Sequence, residues 1–87
     1  MAQDQLAFVG TYTRLGSEGI YTLRLNGETG ELTKVSVAVG LENPSFVTLD
    51  SKGDHLYAVS ESSGFNGSGG ITAFSVNKST GELTQIN

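Results

Sequence analysis

The sequence predicts an all-β chain built from a repeated antiparallel unit. Three observations carry this. "TGELTKV" at residues 29–35 returns as "TGELTQI" at residues 80–86, 51 positions further on. Short runs alternate apolar and polar residues with a period of two and are rich in Val, Ile, Thr, Phe and Tyr, as half-buried strands are. No stretch of about ten or more residues carries a 3.6-residue period, so no helix is expected.

Seven strands follow from the alternation: Leu6–Tyr12, Gly19–Asn26, Leu32–Val39, Ser45–Asp50, Leu56–Ser62, Gly70–Asn77 and Leu83–Ile86. In the second and sixth, Leu23 and Leu25 correspond to Phe74 and Val76 on one face. Ile20 and Thr22 correspond to Ile71 and Ala73 on the other. Apolar residues on both faces suit a sheet that is covered on both sides. The turns are equally legible. "DSKGD" (50–54) is a tight turn with Gly53 available for positive φ, and "NGETG" and "NKSTG" are equivalent hairpin turns.

The repeat extends beyond these turns. "GIYTLRLNGETGELTKVS" (19–36) aligns without gaps on "GITAFSVNKSTGELTQIN" (70–87), and "LAFVGTYT" (6–13) lies on "LYAVSESS" (56–63) at an offset of 50. One inserted loop residue reconciles the two offsets. A repeat near 50 residues with four short antiparallel strands is the mark of a β-propeller blade. The chain therefore reads as an incomplete blade of three strands (6–40) followed by a complete blade of four (44–87), within a single propeller fragment (1–87). Each "TGELT" is the turn into the outermost strand.

Bulk properties narrow the function. The chain has 87 residues, a net charge of −4 and only five basic residues, scattered along it. Nucleic acid is not an expected partner, because phosphate backbones are bound by clustered Lys and Arg. There are no cysteines, which removes disulfides and cysteine-based zinc sites. The acidic residues are dispersed and "DSKGD" is too short for a calcium loop, so no metal site and no cofactor are expected. No apolar run approaches the roughly 20 residues of a membrane helix. "MAQDQ" leads straight into the first strand-like run, so no signal peptide is expected, the alternative being a start residue added to a processed mature N-terminus. A cytoplasmic location is expected, with a periplasmic or exported one as the alternative.

"FVGTYT" followed by "GSEGIY", then "NPSFVTLDSKGDHLYAVSE" and "GGITAFSVNKSTGELT" resemble the N-terminal portion of the lactonase-family propellers. These are the bacterial 6-phosphogluconolactonases of the seven-bladed type, which also resemble fungal carboxymuconate-lactonizing enzymes. The resemblance covers the chain from Leu6 onward. It implies a complete protein that hydrolyses a sugar lactone to the open-chain acid. Seven blades need roughly 350 residues, so the chain is expected to be a fragment, an excised piece or one chain of an assembly, and inactive alone. Its bare sheet faces should be met by the remaining blades or by copies of itself. The rival reading is a non-enzymatic binding or scaffold propeller, or a self-assembling repeat, since fold alone does not fix activity.

In propellers, ligands sit where the loops between second and third strands meet those joining successive blades. Here these loops are "TYTRLGSEG" (11–19), "GLENPS" (40–45) and "ESSGFNGSGG" (61–70). Lactone hydrolysis needs an activated water, a donor for the developing oxyanion and, for a phosphorylated sugar, cationic or amide donors. Glu61 is the candidate catalytic carboxylate. Thr11, Tyr12, Arg14 and Asn43 are the substrate-binding candidates, Arg14 for a phosphate and Asn43 for a sugar hydroxyl or the carbonyl. The plainer reading makes Arg14, Glu18 and Glu61 solvated loop charges and Asn43 a turn residue before Pro44. His55, the only histidine, follows the tight turn at the opposite end and is expected to be a surface residue. The catalytic histidine, arginines and carboxylate proposed for the family lie in later blades with no counterpart here. "GFNGSGG" (64–70) lacks the Lys-Ser/Thr ending of a phosphate loop and precedes a strand. "NGS" (66–68) and "NKS" (77–79) match the glycosylation pattern without other support.

Overall fold

The computed structural model describes residues 4–61 and 69–87. Its strands, in chain order, are β1 (Gln5–Val9), β2 (Ile20–Leu25), β3 (Leu32–Ala38), β4 (Phe46–Leu49), β5 (His55–Ser60), β6 (Gly70–Val76) and β7 (Leu83–Gln85). All pairing is antiparallel. β1-β2-β3 form a three-stranded sheet and β4-β5-β6-β7 a four-stranded one. The all-β class, with one incomplete and one complete blade, is therefore observed, and no α-helix occurs among the described residues.

Two local differences have simple causes. The first strand stops at Val9 rather than Tyr12, because the chain turns into a 3₁₀ turn at Thr13–Leu15, ended by Gly16 in the left-handed region. Three residues are too few to leave a periodic signal in the sequence. β5 begins at His55, which pairs with Ser75, one residue earlier than predicted. The predicted end of that strand, Ser62, lies outside the described residues.

The repeated turns explain the repeated sequence. Asn26 Oδ1 accepts from the backbone N–H groups of Glu28 (2.8 Å) and Thr29 (3.1 Å), and the Gly30 N–H donates to the Asn26 carbonyl (2.9 Å). Asn77 does the same for Ser79 (2.9 Å), Thr80 (3.1 Å) and Gly81 (2.7 Å). The Thr29 and Thr80 hydroxyls then accept from the N–H groups of Glu31 and Glu82, each at 3.2 Å. Asn, Thr and Gly recur because this turn uses each of them for its own hydrogen bonds or its positive φ.

The structure corrects one register. Leu23 pairs with Ala7, whereas its repeat partner Phe74 pairs with Leu56. Ala7 therefore occupies the place of Leu56, and Val9 that of Ala58, an offset of 49 in place of the 50 read from the sequence. A slip of one residue exchanges the two faces of a strand. Leu6, Ala7, Phe8 and Val9 are all apolar, so alternation could not fix which pair faced which way.

The sheets stack face to face. Ile20, Leu56 and Ala58 are fully buried and Phe74 nearly so, with Phe8, Ala38, Leu41, Val47, Val76 and Leu83 packed around them. The Ile20/Thr22 face of the first sheet thus meets the Leu56/Phe74 face of the second. Across this interface the Thr22 hydroxyl donates to the Gly81 carbonyl (2.8 Å), and Arg24 Nη2 donates to the Ser79 carbonyl (3.1 Å). Ile20, Leu56 and Phe74 each contribute about 1.5–3 kcal/mol by burial. The two outer faces remain open: Ile71 is 68% and Phe46 65% exposed on the second sheet, and Val9 41% on the first.

Candidate functional site

β5 separates two chemically different ends. At about 3.3 Å per residue its six residues hold the ends roughly 20 Å apart. His55 opens the strand, with Nδ1 2.8 Å from Asp50 Oδ2, and this contact is the main reason the Asp50 carboxyl is held below its ordinary range. Beside it Lys78 Nζ pairs with Asp54 Oδ1 and donates to the Lys52 carbonyl, both at 2.8 Å. These groups brace the tight turn and the neighbouring hairpin. His55 is therefore at the end remote from the long loops.

At the other end, the 11–19 loop of the first sheet crosses the linker between the sheets. Gly10 makes the crossing possible: a Cβ there would stand 2.4 Å from the Pro44 carbonyl oxygen. The Thr11 N–H donates to that same carbonyl (2.9 Å), and the Thr11 hydroxyl donates to the Gly19 carbonyl (2.7 Å). Thr11 is thus occupied with the backbone of its own loop.

Asn43 is the hub. It is 4% exposed and has φ +46°, a left-handed conformation that Asn tolerates better than most residues. Its Oδ1 accepts from the Arg14 N–H (3.1 Å) and the Thr13 hydroxyl (3.4 Å), its Nδ2 donates to the Glu61 carbonyl (2.9 Å), and its own N–H donates to the Thr13 hydroxyl (3.0 Å). The Glu61 N–H returns to the Asn43 carbonyl (3.1 Å). One side chain therefore ties the 3₁₀ turn of the first sheet to the end of β5 in the second. Both the oxygen and the nitrogen of the amide are engaged with the protein, so the side chain braces the two loops against each other.

Those neighbours form a polar chain on the surface. Tyr12 donates to Glu61 Oε2 (3.0 Å), and the Ser45 hydroxyl donates to the same oxygen. These two hydroxyl bonds, Ser45 first and Tyr12 second, hold the Glu61 carboxyl below its ordinary value. Partial desolvation opposes them, and the positive charge of Arg14 adds to them. A carboxylate stabilised in its ionised form is a poor proton acceptor near neutral pH. The Arg14 guanidinium carbon lies 5.1 Å from the Tyr12 ring centroid, a cation–π contact. Arg14 itself is exposed at the surface.

The structure thus gathers Tyr12, Arg14, Asn43 and Glu61, and sets Thr11 and Glu18 apart; the Glu18 N–H donates to the Tyr21 hydroxyl (3.0 Å). It also adds two residues that the sequence reading missed, Ser45 and Thr13. Ser45 was within "NPS", directly after the proline, but nothing local shows that its hydroxyl meets a carboxylate 16 residues away. An open hollow of about 730 Å³ adjoins Glu61, lined by Val59, Ser60, Gly69, Gly70 and Ile71. Among the described residues no group of three or more His, Cys, Asp or Glu side chains could hold a metal. Most of the "GFNGSGG" loop and all of "NGS" (66–68) lie outside the described residues. Asn77 of "NKS" is engaged in closing its turn.

A family model described as "Lactonase, 7-bladed beta-propeller" matches residues 6–87. The chain is 38% identical over 82 residues to a 6-phosphogluconolactonase of Bacillus subtilis (strain 168), covering 94% of this chain and 23% of that protein. A crystal structure from Bacteroides uniformis ATCC 8492, provisionally assigned as a 6-phosphogluconolactonase, superposes with a TM-score of 0.85 at 41% identity, over 98% of this chain and 24% of the other. A periplasmic gluconolactonase of Pseudomonas aeruginosa, PpgL, superposes with a TM-score of 0.82 at 32% identity, over 97% and 24%. The chain spans about a quarter of the length of these relatives. No helix among the described residues is long and apolar enough to cross a membrane.

Proposed function

The chain belongs to the seven-bladed β-propeller lactonase family, and on that footing we propose that it supplies two adjacent N-terminal blades of an enzyme that hydrolyses a sugar lactone of the 6-phosphogluconolactone type. In that reaction water adds to the lactone carbonyl, the ring C–O bond breaks, and the departing alkoxide takes a proton to give the open-chain hydroxy acid. The observation that carries this chain's part is the stacked Arg14 at the meeting point of the inter-sheet loops. An exposed guanidinium held over an aromatic face suits an anionic group such as a phosphate or carboxylate. Tyr12 and Ser45 hold Glu61, and Glu61 in turn holds the Tyr12 ring beneath Arg14. The proton-transfer groups and oxyanion donors belong to further blades, and the 87-residue chain alone is inactive. A phosphorylated substrate is retained within the compartment that makes it, which favours the cytoplasm; the periplasmic PpgL supplies the alternative.

The test is a hybrid in which this chain replaces the matching residues of the Bacillus subtilis relative. The hybrid should open 6-phosphogluconolactone well above the spontaneous rate. Arg14→Ala in the hybrid should raise KM about tenfold or more for the phosphorylated lactone with little change in kcat, the signature of lost uniform binding. An unchanged KM in a folded hybrid refutes the role of Arg14. Lactone turnover by the isolated chain at the rate of a complete enzyme refutes its inactivity.

A further inference from the structure

The internal interface between the two sheets is one half of a repeating pattern whose other half is exposed. Ile20 and Ile71 occupy the same position in the repeat, yet Ile20 is 0% exposed and Ile71 68%. What buries Ile20 is the Leu56/Ala58/Phe74 face of the second sheet. The registers show that this face has its own counterpart in the first sheet: Ala7 stands for Leu56, Val9 for Ala58 and Leu23 for Phe74. That counterpart is the outer face of the first sheet. The molecule therefore carries, on opposite sides, both members of an interface whose geometry it already displays within itself.

The turn glycines say the same. A Cβ on Gly81 would stand 2.7 Å from Thr22 Cγ2 and 3.2 Å from Val35 Cγ2, because the turn is seated on the first sheet. Its repeat partner Gly30 has nothing within 4 Å of that position. The seat that Gly30 lacks is the outer face of a second sheet, where Ala73 replaces Thr22.

We propose that the outer face of the first sheet docks on the outer face of the second sheet of another copy of this chain, so that the 87-residue chain by itself associates head to tail. The inference rests on the fold and the repeat register, not on the lactonase reading. Such an interface is heterologous: the two surfaces in contact differ, so every open assembly keeps one free surface of each kind at its ends, and growth continues unless a ring closes. The contact is weaker than the internal one. Ala73 cannot make the bond that Thr22 makes to the Gly81 carbonyl, and Ser75 stands where Arg24 reaches the Ser79 carbonyl. Reversible, concentration-dependent association is therefore expected.

The test uses two variants of the full chain, Ile71→Glu on the second sheet's outer face and Val9→Glu on the first's. Both positions are exposed, so far-UV circular dichroism should match the parent. Sedimentation equilibrium should show the parent associating beyond a dimer and each variant weakened about ten- to a hundredfold, the worth of one buried aliphatic side chain. A one-to-one mixture should form a dimer and stop there, since each variant retains the surface the other has lost. Two added glutamates cannot attract each other, so recovery in the mixture is specific to head-to-tail docking. A parent that stays monomeric up to about 1 mM overturns the proposal. So does a mixture no more associated than either variant alone. Variants that associate as strongly as the parent overturn it as well, because pairing through strand edges would then account for the assembly.

Discussion

Replacing Asn43 with alanine tests whether one amide holds the two sheets in their relative position. Three side-chain hydrogen bonds disappear, to the Arg14 N–H, the Thr13 hydroxyl and the Glu61 carbonyl. Each contributes about 0.5–1.5 kcal/mol net. Alanine at φ +46° adds about 1 kcal/mol of backbone strain, because its Cβ crowds the following carbonyl. The expected loss is about 2.5–5.5 kcal/mol. Against the roughly 4–13 kcal/mol available to a domain of this size, that is a large fraction. Urea unfolding followed by circular dichroism measures it, at one fixed protein concentration so that association does not shift the comparison. Asn43→Gly separates the components: it loses the same bonds without the left-handed strain and should be about 1 kcal/mol less damaging. A loss below about 0.5 kcal/mol for Asn43→Ala, with an unchanged m-value, refutes the hub. Equal losses for both variants refute the strain component alone.

Three further outcomes follow from the same geometry. Ser45→Ala removes the largest influence holding the Glu61 carboxyl down, so its pKa should move up toward 4.5; carbon-13 NMR titration of the Glu61 carboxylate reads this, and an unmoved pKa sinks the assignment. Because the folded-state pKa is depressed, the stabilisation from Glu61 is complete above its unfolded value and is lost as pH falls through the folded one. Ser45→Ala should accordingly flatten the acid limb of the stability curve below about pH 4.5. At the opposite end, His55→Ala should raise the Asp50 pKa toward 3.8 while leaving Glu61 untouched, and a shift in Glu61 would mean that the two ends are coupled. Finally, Gly30→Ala should cost only the positive-φ strain of about 1 kcal/mol, whereas Gly81→Ala also drives a methyl against Thr22 and should cost about 1–3 kcal/mol more; equal melting temperatures in dilute solution would refute the seating of that turn.

Local signals were legible wherever a residue serves its own neighbourhood. Asn26 and Asn77 bond backbone groups two and three residues ahead, so the turn is written in consecutive letters and its repetition announces the unit. The loops holding Tyr12, Arg14, Asn43 and Glu61 were legible in the same way, because strand order alone brings them to one end. Their division of labour was not. The Tyr12 to Glu61 bond spans 49 residues and the Asn43 to Arg14 bond spans 29. No local pattern distinguishes an amide spent on the protein from one offered to a ligand.

By itself the sequence determined the all-β class, the seven strands, the two equivalent turns and the blade-sized repeat, because alternation and turn chemistry act over a few residues. Only the tertiary structure decided the register of β1, where four consecutive apolar residues suit either face. It alone decided that Ile20 is enclosed while Ile71 stands open, though both occupy one place in the repeat. Burial depends on what lies across from a side chain, and that neighbour is supplied by a distant part of the chain or by another molecule.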